Sequence, residues 1–305
     1  MAAAHGAGAA APDPVSVLSG GVAVVSGGAG AGAGLGQGLV RRLAAEGMRV
    51  AVLDLDRDAA EALAAELRAG GSEAIAWAVD VTETDTLRRA VEQVRDAFGA
   101  CNVLCAHVGG GGQGRFESIV EEQWLAAMKL MVVGTVATVQ AFLPLMRETR
   151  GVRRIVLTSS AAALAPGRYQ GPYRAAKSAV TSIGETLDLE LGPEGIGTTV
   201  AFPSGMQHPD IIDLARSMGD LSTEAREALI GDPVTAAIAE EMAPRAADIE
   251  TGDAAAQSIV DALIEGRRYV ITHGVTVEQV SRARQQLLDD AFAELAARRA
   301  TQTPR

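Results

Sequence analysis

The stretch Val22-Ala23-Val24-Val25-Ser26-Gly27-Gly28-Ala29-Gly30-Ala31-Gly32-Ala33-Gly34-Leu35-Gly36 decides how the rest of the chain is read. A short apolar run that ends in glycines predicts a buried strand over 22–26. After the glycines, Leu35, Leu39 and Leu43 share one helical face, and Gly47 stops the helix predicted over 35–46. A strand, a glycine turn and a helix amino end together make an anion site. Backbone N–H groups and the helix dipole point at a phosphate, and missing Cβ atoms let it come close. A glycine run alone also suits a flexible linker. The flanking strand and helix, and an acid at the end of the next strand, favour a dinucleotide.

Outward from this turn, strand and helix patterns alternate. Further strands are predicted over 49–54, 73–79, 102–108, 153–158, 197–202 and 269–272. Helices are predicted over 58–68, 84–98, 121–146, 173–191, 252–265 and 276–298. Repeated βα units with right-handed crossovers give an α/β fold, a doubly wound parallel sheet of Rossmann type in a single domain. A flexible tail over 1–19 precedes a globular part over 20–275, and a helix and tail follow over 276–305. Residues 204–252 exceed a simple connection and are expected as a substrate lid at the carboxyl edge of the sheet. In that lid Ile211, Ile212, Leu214, Met218 and Leu221 either pack together or line an apolar pocket.

Composition narrows the function. The 305 residues are 48% hydrophobic, enough for a sizeable core. Acids outnumber bases 38 to 27, for a net charge of −11, which argues against nonspecific nucleic-acid binding. Cys101 and Cys105 cannot form a disulfide scaffold, and the four histidines are scattered without zinc spacing, so no metal is expected. Two buried, reduced thiols fit a reducing cytosol. The first nineteen residues have no basic or apolar block typical of a signal peptide. The apolar stretch 130–146 is broken by Gln140 and Pro144 and is read as too short to span a bilayer. A soluble, cytoplasmic protein with no membrane partner is expected. The helix over 121–146 is apolar around much of its circumference, so it is buried on several sides, by this chain or by a second copy.

A second constellation carries chemistry. Ser160 ends Thr158-Ser159-Ser160 after the fifth strand, and thirteen residues on stands Tyr173-Arg174-Ala175-Ala176-Lys177. Tyr173 and Lys177 are four apart and share a helix face. A phenol titrates near about 10 and is a poor proton carrier at neutral pH. A lysine ammonium at ~4 Å supplies about 4 kcal/mol at an effective dielectric of about 20, roughly three pK units, of which desolvation returns part. The pair is therefore expected to bring Tyr173 toward neutrality as a general acid-base, with Ser160 on the same substrate oxygen.

Together the 27–36 turn, Asp54, Asp80-Val81, Ser160, Tyr173 and Lys177 make the chain similar to the short-chain dehydrogenase/reductases over residues 20–275. The resemblance implies hydride transfer between a nicotinamide and a small-molecule secondary alcohol or ketone. It makes Tyr173 the acid-base, Ser160 the residue steadying the substrate oxygen, and Lys177 the ligand of the nicotinamide ribose. Coenzyme contacts fall to Gly27, Gly34, Leu35, Gly36, Asp54, Asp80, Val81, Ala106, Gly109, Pro203 and Met206, with Tyr173 and Lys177. Asp54 would accept ribose hydroxyls and repel a 2′-phosphate, which favours NAD over NADP, although Arg57 is near; a solvated helix-capping role is the alternative. The resemblance also implies a homodimer or homotetramer through the helix over 121–146 and the Tyr-bearing helix.

Four departures from the family pattern stand out. The glycine turn is three residues longer than usual, like that of some bacterial relatives that oxidise benzylic alcohols of lignin fragments. The motif after the fourth strand reads Ala106-His107-Val108-Gly109, with His107 either catalytic or structural. Met131 takes the place of the Asn that helps link Lys to solvent, and a thioether accepts weakly and donates nothing. Pro203-Ser204 replaces Pro-Gly, and the usual following threonine is missing. An oxidoreductase acting on a bulky, mainly apolar substrate is the leading expectation. A non-redox enzyme (dehydratase, isomerase or cyclase) or an NAD-holding regulatory protein are the alternatives.

Overall fold

Strand β1, Val22–Ser26, is buried at every position. Its alternate side chains serve two cores, as a pleat of period two requires. Ala23 and Val25 pack on one face with Leu39 and Leu43 of α1 (Leu35–Ala45) and with Ile259 and Leu263 of α7 (Gly252–Ile264). Val22 and Val24 pack on the other with Leu87 of α3 (Thr84–Phe98), Phe142 of α4 (Glu121–Glu148) and Val180 of α6 (Gly171–Leu191). A strand apolar on both faces belongs at the centre of a parallel sheet.

The computed structural model describes residues 16–30, 34–110, 114–205 and 250–302. Seven strands run in the order β3-β2-β1-β4-β5-β6-β7, all parallel. The others are β2 (Arg49–Asp54), β3 (Ala74–Ala78), β4 (Val103–Ala106), β5 (Arg153–Thr158), β6 (Ile196–Phe202) and β7 (Tyr269–Ile271). Helices α2 (Arg57–Ala69), α5 (the single turn Ala161–Leu164) and α8 (Val275–Gln302) complete the layers. The chain leaves β1 toward β2 on one side and returns as β4 on the other, so the order reverses beside β1. Ligands of such sheets bind in the crevice at that reversal, past the carboxyl ends of the strands.

The expected α/β doubly wound sheet is therefore present, with small boundary shifts. Strand β4 ends sooner than its apolar pattern because past Ala106 the His107 amide donates to the Ser26 hydroxyl and the Val108 carbonyl accepts from Lys177, while its amino end is tied in by Asn102. The Asn102 Oδ1 accepts from the Val22 amide at 3.0 Å, and its Nδ2 donates to the Arg150 and Val152 carbonyls. The helix expected over 121–146 is continuous through Glu148 and contains a π-helical segment, Met128–Val133. At 28 residues it is long and apolar enough to cross a membrane by length and composition. The length argument against a span thus fails. What the fold shows instead is a helix flanking the sheet, with Phe142, Leu145 and Met146 in the core.

Residues 1–15 of the expected tail, the bulk of the expected lid over 206–249, and Met206 lie outside the described residues. The tail was expected to run to residue 19, but 16–19 form a turn that places Leu18 in the core, since an apolar side chain beside the sheet has surface to bury there. The two ends of that stretch meet. The Gly205 carbonyl accepts from the Glu250 amide at 3.0 Å and lies 2.7 Å from His273 Nε2. Cys101 and Cys105 are buried and unbridged, and burial pushes both thiols up, Cys105 to about 12. They are inert core groups, as expected.

Burial of the central helices is incomplete. Leu125 (60% exposed) and Val133 (55%) on α4 and Leu189 (72%) on α6 face outward. Neither the described part of this chain nor α8 covers them. Light scattering is expected to show a dimer or tetramer, and Leu189→Glu to lower that mass. A monomeric parent protein would refute the expectation.

Candidate active site

The glycine turn works through backbone geometry. Gly27 has φ +65°, and a Cβ there would lie 1.9 Å from the His107 carbonyl oxygen, so the ends of β1 and β4 touch only because the side chain is absent. A Cβ on Gly36 would lie 2.1 Å from the Gly27 carbonyl, which draws the first turn of α1 onto the same loop. Gly34 is the N-cap of α1. It brings no side-chain cap, and no acid sits in the first turn. The helix thus starts with N–H groups that no side chain satisfies and with its positive dipole end unneutralised. Leu35 follows at the rim of a cleft of about 400 Å³.

Asp54 closes β2 and is buried. Its Oδ2 accepts from the Ala29 amide at 2.9 Å and its Oδ1 from the Asp56 amide at 3.1 Å. The carboxylate therefore ties the glycine turn to the end of β2, a role its sequence position did not disclose. Each oxygen keeps further acceptor capacity toward the cleft it lines. Asp80 and Val81 line the same cleft from beyond β3. The amide and hydroxyl of Thr82 both donate to Asp80 Oδ1 at 2.8 Å and hold that carboxyl below its ordinary range, with Lys129 adding a smaller pull.

Past β4, Ala106 is buried opposite Ser26 in the sheet register rather than on the cleft wall. Gly109 does line the cleft, and a Cβ there would come within 3.0 Å of Lys177 Nζ. His107 also lines it. Burial, with the charge of Lys177, pushes this imidazole down to about 3, so it is neutral. Its Nδ1 has no hydrogen-bond partner among the described residues.

The serine, tyrosine and lysine expected from the sequence converge on this cleft. Ser160 caps α5, accepting from the Ala162 amide at 3.1 Å. Its hydroxyl lies toward the Tyr173 phenol and favours the ionised form, a pull smaller than the effect of burial. Arg174 braces the pair, donating from Nη1 to the Ala165 carbonyl at 2.6 Å and the Ala162 carbonyl at 3.2 Å. Ser159 points elsewhere: its hydroxyl donates to the Lys177 carbonyl and meets Thr181. Lys177 is buried, and its Nζ donates to the Val108 carbonyl at 2.9 Å and the Thr158 carbonyl at 2.8 Å. Pro203 lines the cleft past β6.

One electrostatic expectation is reversed. Lys177 was expected to draw Tyr173 down. Its ammonium instead lies 5.9 Å from the ring centroid, engaged by two carbonyls. Burial dominates and raises the phenol above its ordinary value, against smaller lowering effects from Ser160 and Arg174. Burial likewise brings Lys177 down to about 8. The phenol is thus protonated and the lysine mostly cationic at neutral pH.

Met131 is fully buried inside the π-helical segment, with its sulfur 3.8 Å from where a Cβ of Gly109 would lie. It brings a thioether to the neighbourhood of Lys177. The carbonyls of Val108 and Thr158 were missed from sequence because a backbone acceptor leaves no residue-type signal. Among the described residues no group of three metal-ligating side chains occurs.

Residues 22–216 match the sequence profile described as short chain dehydrogenase. A Mycobacterium tuberculosis protein named as an NAD-dependent oxidoreductase is 31% identical over 56% of this chain and 66% of its own length, just under two thirds of that relative. A cyclohexanol dehydrogenase from a Rhodococcus species is 28% identical over 67% of this chain and 80% of its own. The crystal structure of a short chain dehydrogenase/reductase from Burkholderia phymatum in complex with NAD superposes with a TM-score of 0.73 at 25% identity, covering 89% of this chain and 95% of that one. With the seven-stranded parallel sheet and a profile match over most of its length, the chain belongs to the short-chain dehydrogenase family.

Proposed function

We propose that the protein is an NAD-dependent oxidoreductase acting on a bulky, mainly apolar secondary alcohol or the corresponding ketone. The observation that carries this reading is one cleft holding both an uncapped helix start behind a glycine turn and the side chains of Ser160, Tyr173 and Lys177. The names of the Mycobacterium and Rhodococcus relatives, and the NAD in the Burkholderia structure, support it.

The cleft suits such a coenzyme. The close approach at Gly27 and Gly36 leaves the first-turn amides of α1 open for a pyrophosphate. Asp54 accepts ribose hydroxyls and disfavours a 2′-phosphate. His107 contributes a neutral imidazole with an unused nitrogen. A bound nicotinamide supplies or takes up the hydride. The chain's residues manage the proton: Tyr173 stays protonated and donates to the substrate oxygen in the reducing direction, and Ser160 holds that oxygen. Lys177 keeps a positive charge in the cleft and stabilises the phenolate left behind. A positioned acid of this kind contributes about 10²–10⁴-fold to the rate.

Met131 favours a second reading, a dehydratase, isomerase or cyclase that uses Tyr173 without net hydride transfer. Product formed with no change in coenzyme absorbance would favour it.

Tyr173→Phe removes the transferable proton and keeps the ring. Its turnover is expected to fall by roughly 10²-fold or more, with NAD affinity within a factor of about three by calorimetry. Full activity in that variant would end the assignment.

Ketone reduction requires both the phenol and the ammonium. Lys177 is cationic below about 8 and loses its proton above that value, so kcat/KM for reduction is expected to be level at lower pH and to fall as pH rises through it. A profile flat to pH 10 would contradict the role of Lys177.

Asp54→Asn keeps the shape and removes the charge. The ratio of kcat/KM with NAD to that with NADP is expected to drop by about tenfold. An unchanged ratio would mean that Asp54 acts only as the tie to Ala29.

A further inference from the structure

We propose that His107 is a coenzyme-contacting residue, donating a hydrogen bond from Nε2 to the ribose-phosphate on the nicotinamide side of a bound dinucleotide. The inference rests on the coenzyme reading above and assigns one more side chain within it.

Two features of the cleft bracket this residue. Its carbonyl oxygen abuts the first glycine of the turn, 1.9 Å from where a Cβ of Gly27 would lie. Its imidazole feels the charge of Lys177. Side chains alternate along a strand. Val103 and Cys105 of β4 pack on the α1 face of the sheet, and Leu104 and Ala106 on the α6 face. Continuing that alternation, His107 falls on the α1 face, whereas Lys177 reaches the same cleft from α6. A dinucleotide with its pyrophosphate at the start of α1 and its reacting end beside Tyr173 passes between the two. The part that spans this gap is the ribose and phosphate joined to the nicotinamide.

The backbone of His107 serves the fold, since its amide donates to the Ser26 hydroxyl at 3.3 Å. The ring does not. Neither ring nitrogen has a hydrogen-bond partner among the described residues, and of the two only Nδ1 is enclosed. Nε2 is therefore the nitrogen with access to the cleft that His107 lines. Burial and the charge of Lys177 keep the ring neutral, so it carries a single N–H. That proton is better placed on the accessible nitrogen, where an oxygen can accept it, than on one that is enclosed and unpaired. Ribose and phosphate oxygens are such acceptors. A histidine retained for the fold alone would bond through its ring.

Calorimetry on the full chain with NAD and, separately, with AMP tests the contact. AMP carries the adenosine half and lacks the second ribose and phosphate. His107→Phe keeps a flat ring and removes both nitrogens. Its dissociation constant for NAD is expected to rise at least fivefold, with that for AMP within twofold of the parent value. It is also expected to melt no lower than the parent, because an enclosed nitrogen without a partner is lost. A purely structural histidine would give the reverse, a lower melting temperature with NAD affinity unmoved. His107→Gln, whose amide N–H reaches about as far as Nε2, is expected to recover most of the NAD affinity. Equal NAD constants in the parent and His107→Phe, an equal rise for NAD and AMP, or no recovery in His107→Gln would overturn the contact and leave the coenzyme reading standing. A parent protein that takes up no NAD would end both.

Discussion

A buried ammonium held between two backbone carbonyls organises the cleft. Lys177 reaches from α6 to the Val108 carbonyl just past β4 and to the Thr158 carbonyl at the end of β5. Burying a charge is costly unless it is paired or hydrogen-bonded, and here neutral dipoles carry the load. The cost is visible in the downward displacement of the lysine to about 8. The contact also fixes α6 against two strand ends. Tyr173, one turn earlier, is then brought to Ser160 by the same helix placement, and Gly109 has to remain without a side chain to leave Nζ its room.

The balance at Tyr173 follows from that arrangement. A Coulomb argument from spacing alone assumes that the lysine charge faces the phenol across a short gap. The carbonyls instead hold the ammonium to one side, and desolvation of the phenolate outweighs the remaining attraction. On the proposed reading this is useful chemistry in the reducing direction, because the acid must be protonated before it can donate. In the oxidising direction the phenol must first lose its proton, and a bound substrate oxygen and coenzyme charge have to assist.

Much of this was legible in the sequence, for a physical reason. Strands buried on both faces read as apolar runs, so β1, β2, β5 and β6 stood out, and glycines that permit close approach cannot be replaced by other residue types. Side chains whose chemistry demands identity (Asp54, Ser160, Tyr173, Lys177) were legible as well, and they meet in one cleft. What escaped depends on backbone atoms or on what lies opposite. The tie from Asp54 to the Ala29 amide and the carbonyl acceptors of Lys177 leave no mark in residue type. The π-helical segment around Met131 was hidden for a related reason: its apolar pattern is that of an ordinary core helix, and only the hydrogen-bond register differs.

That segment bears on how protons reach the cleft. An ammonium has three donors, and Lys177 commits two of them to carbonyls. Met131 is fully buried on the α4 side and offers a thioether that can neither donate nor accept strongly. Where a polar side chain in that place could hold a water toward the lysine, the methionine brings apolar surface packed with Ala176 and Tyr173. On the proposed reading the phenol exchanges its proton toward the open cleft, which the substrate also enters. In such a site the rate of the proposed reaction becomes sensitive to how tightly the bound substrate fills that cleft.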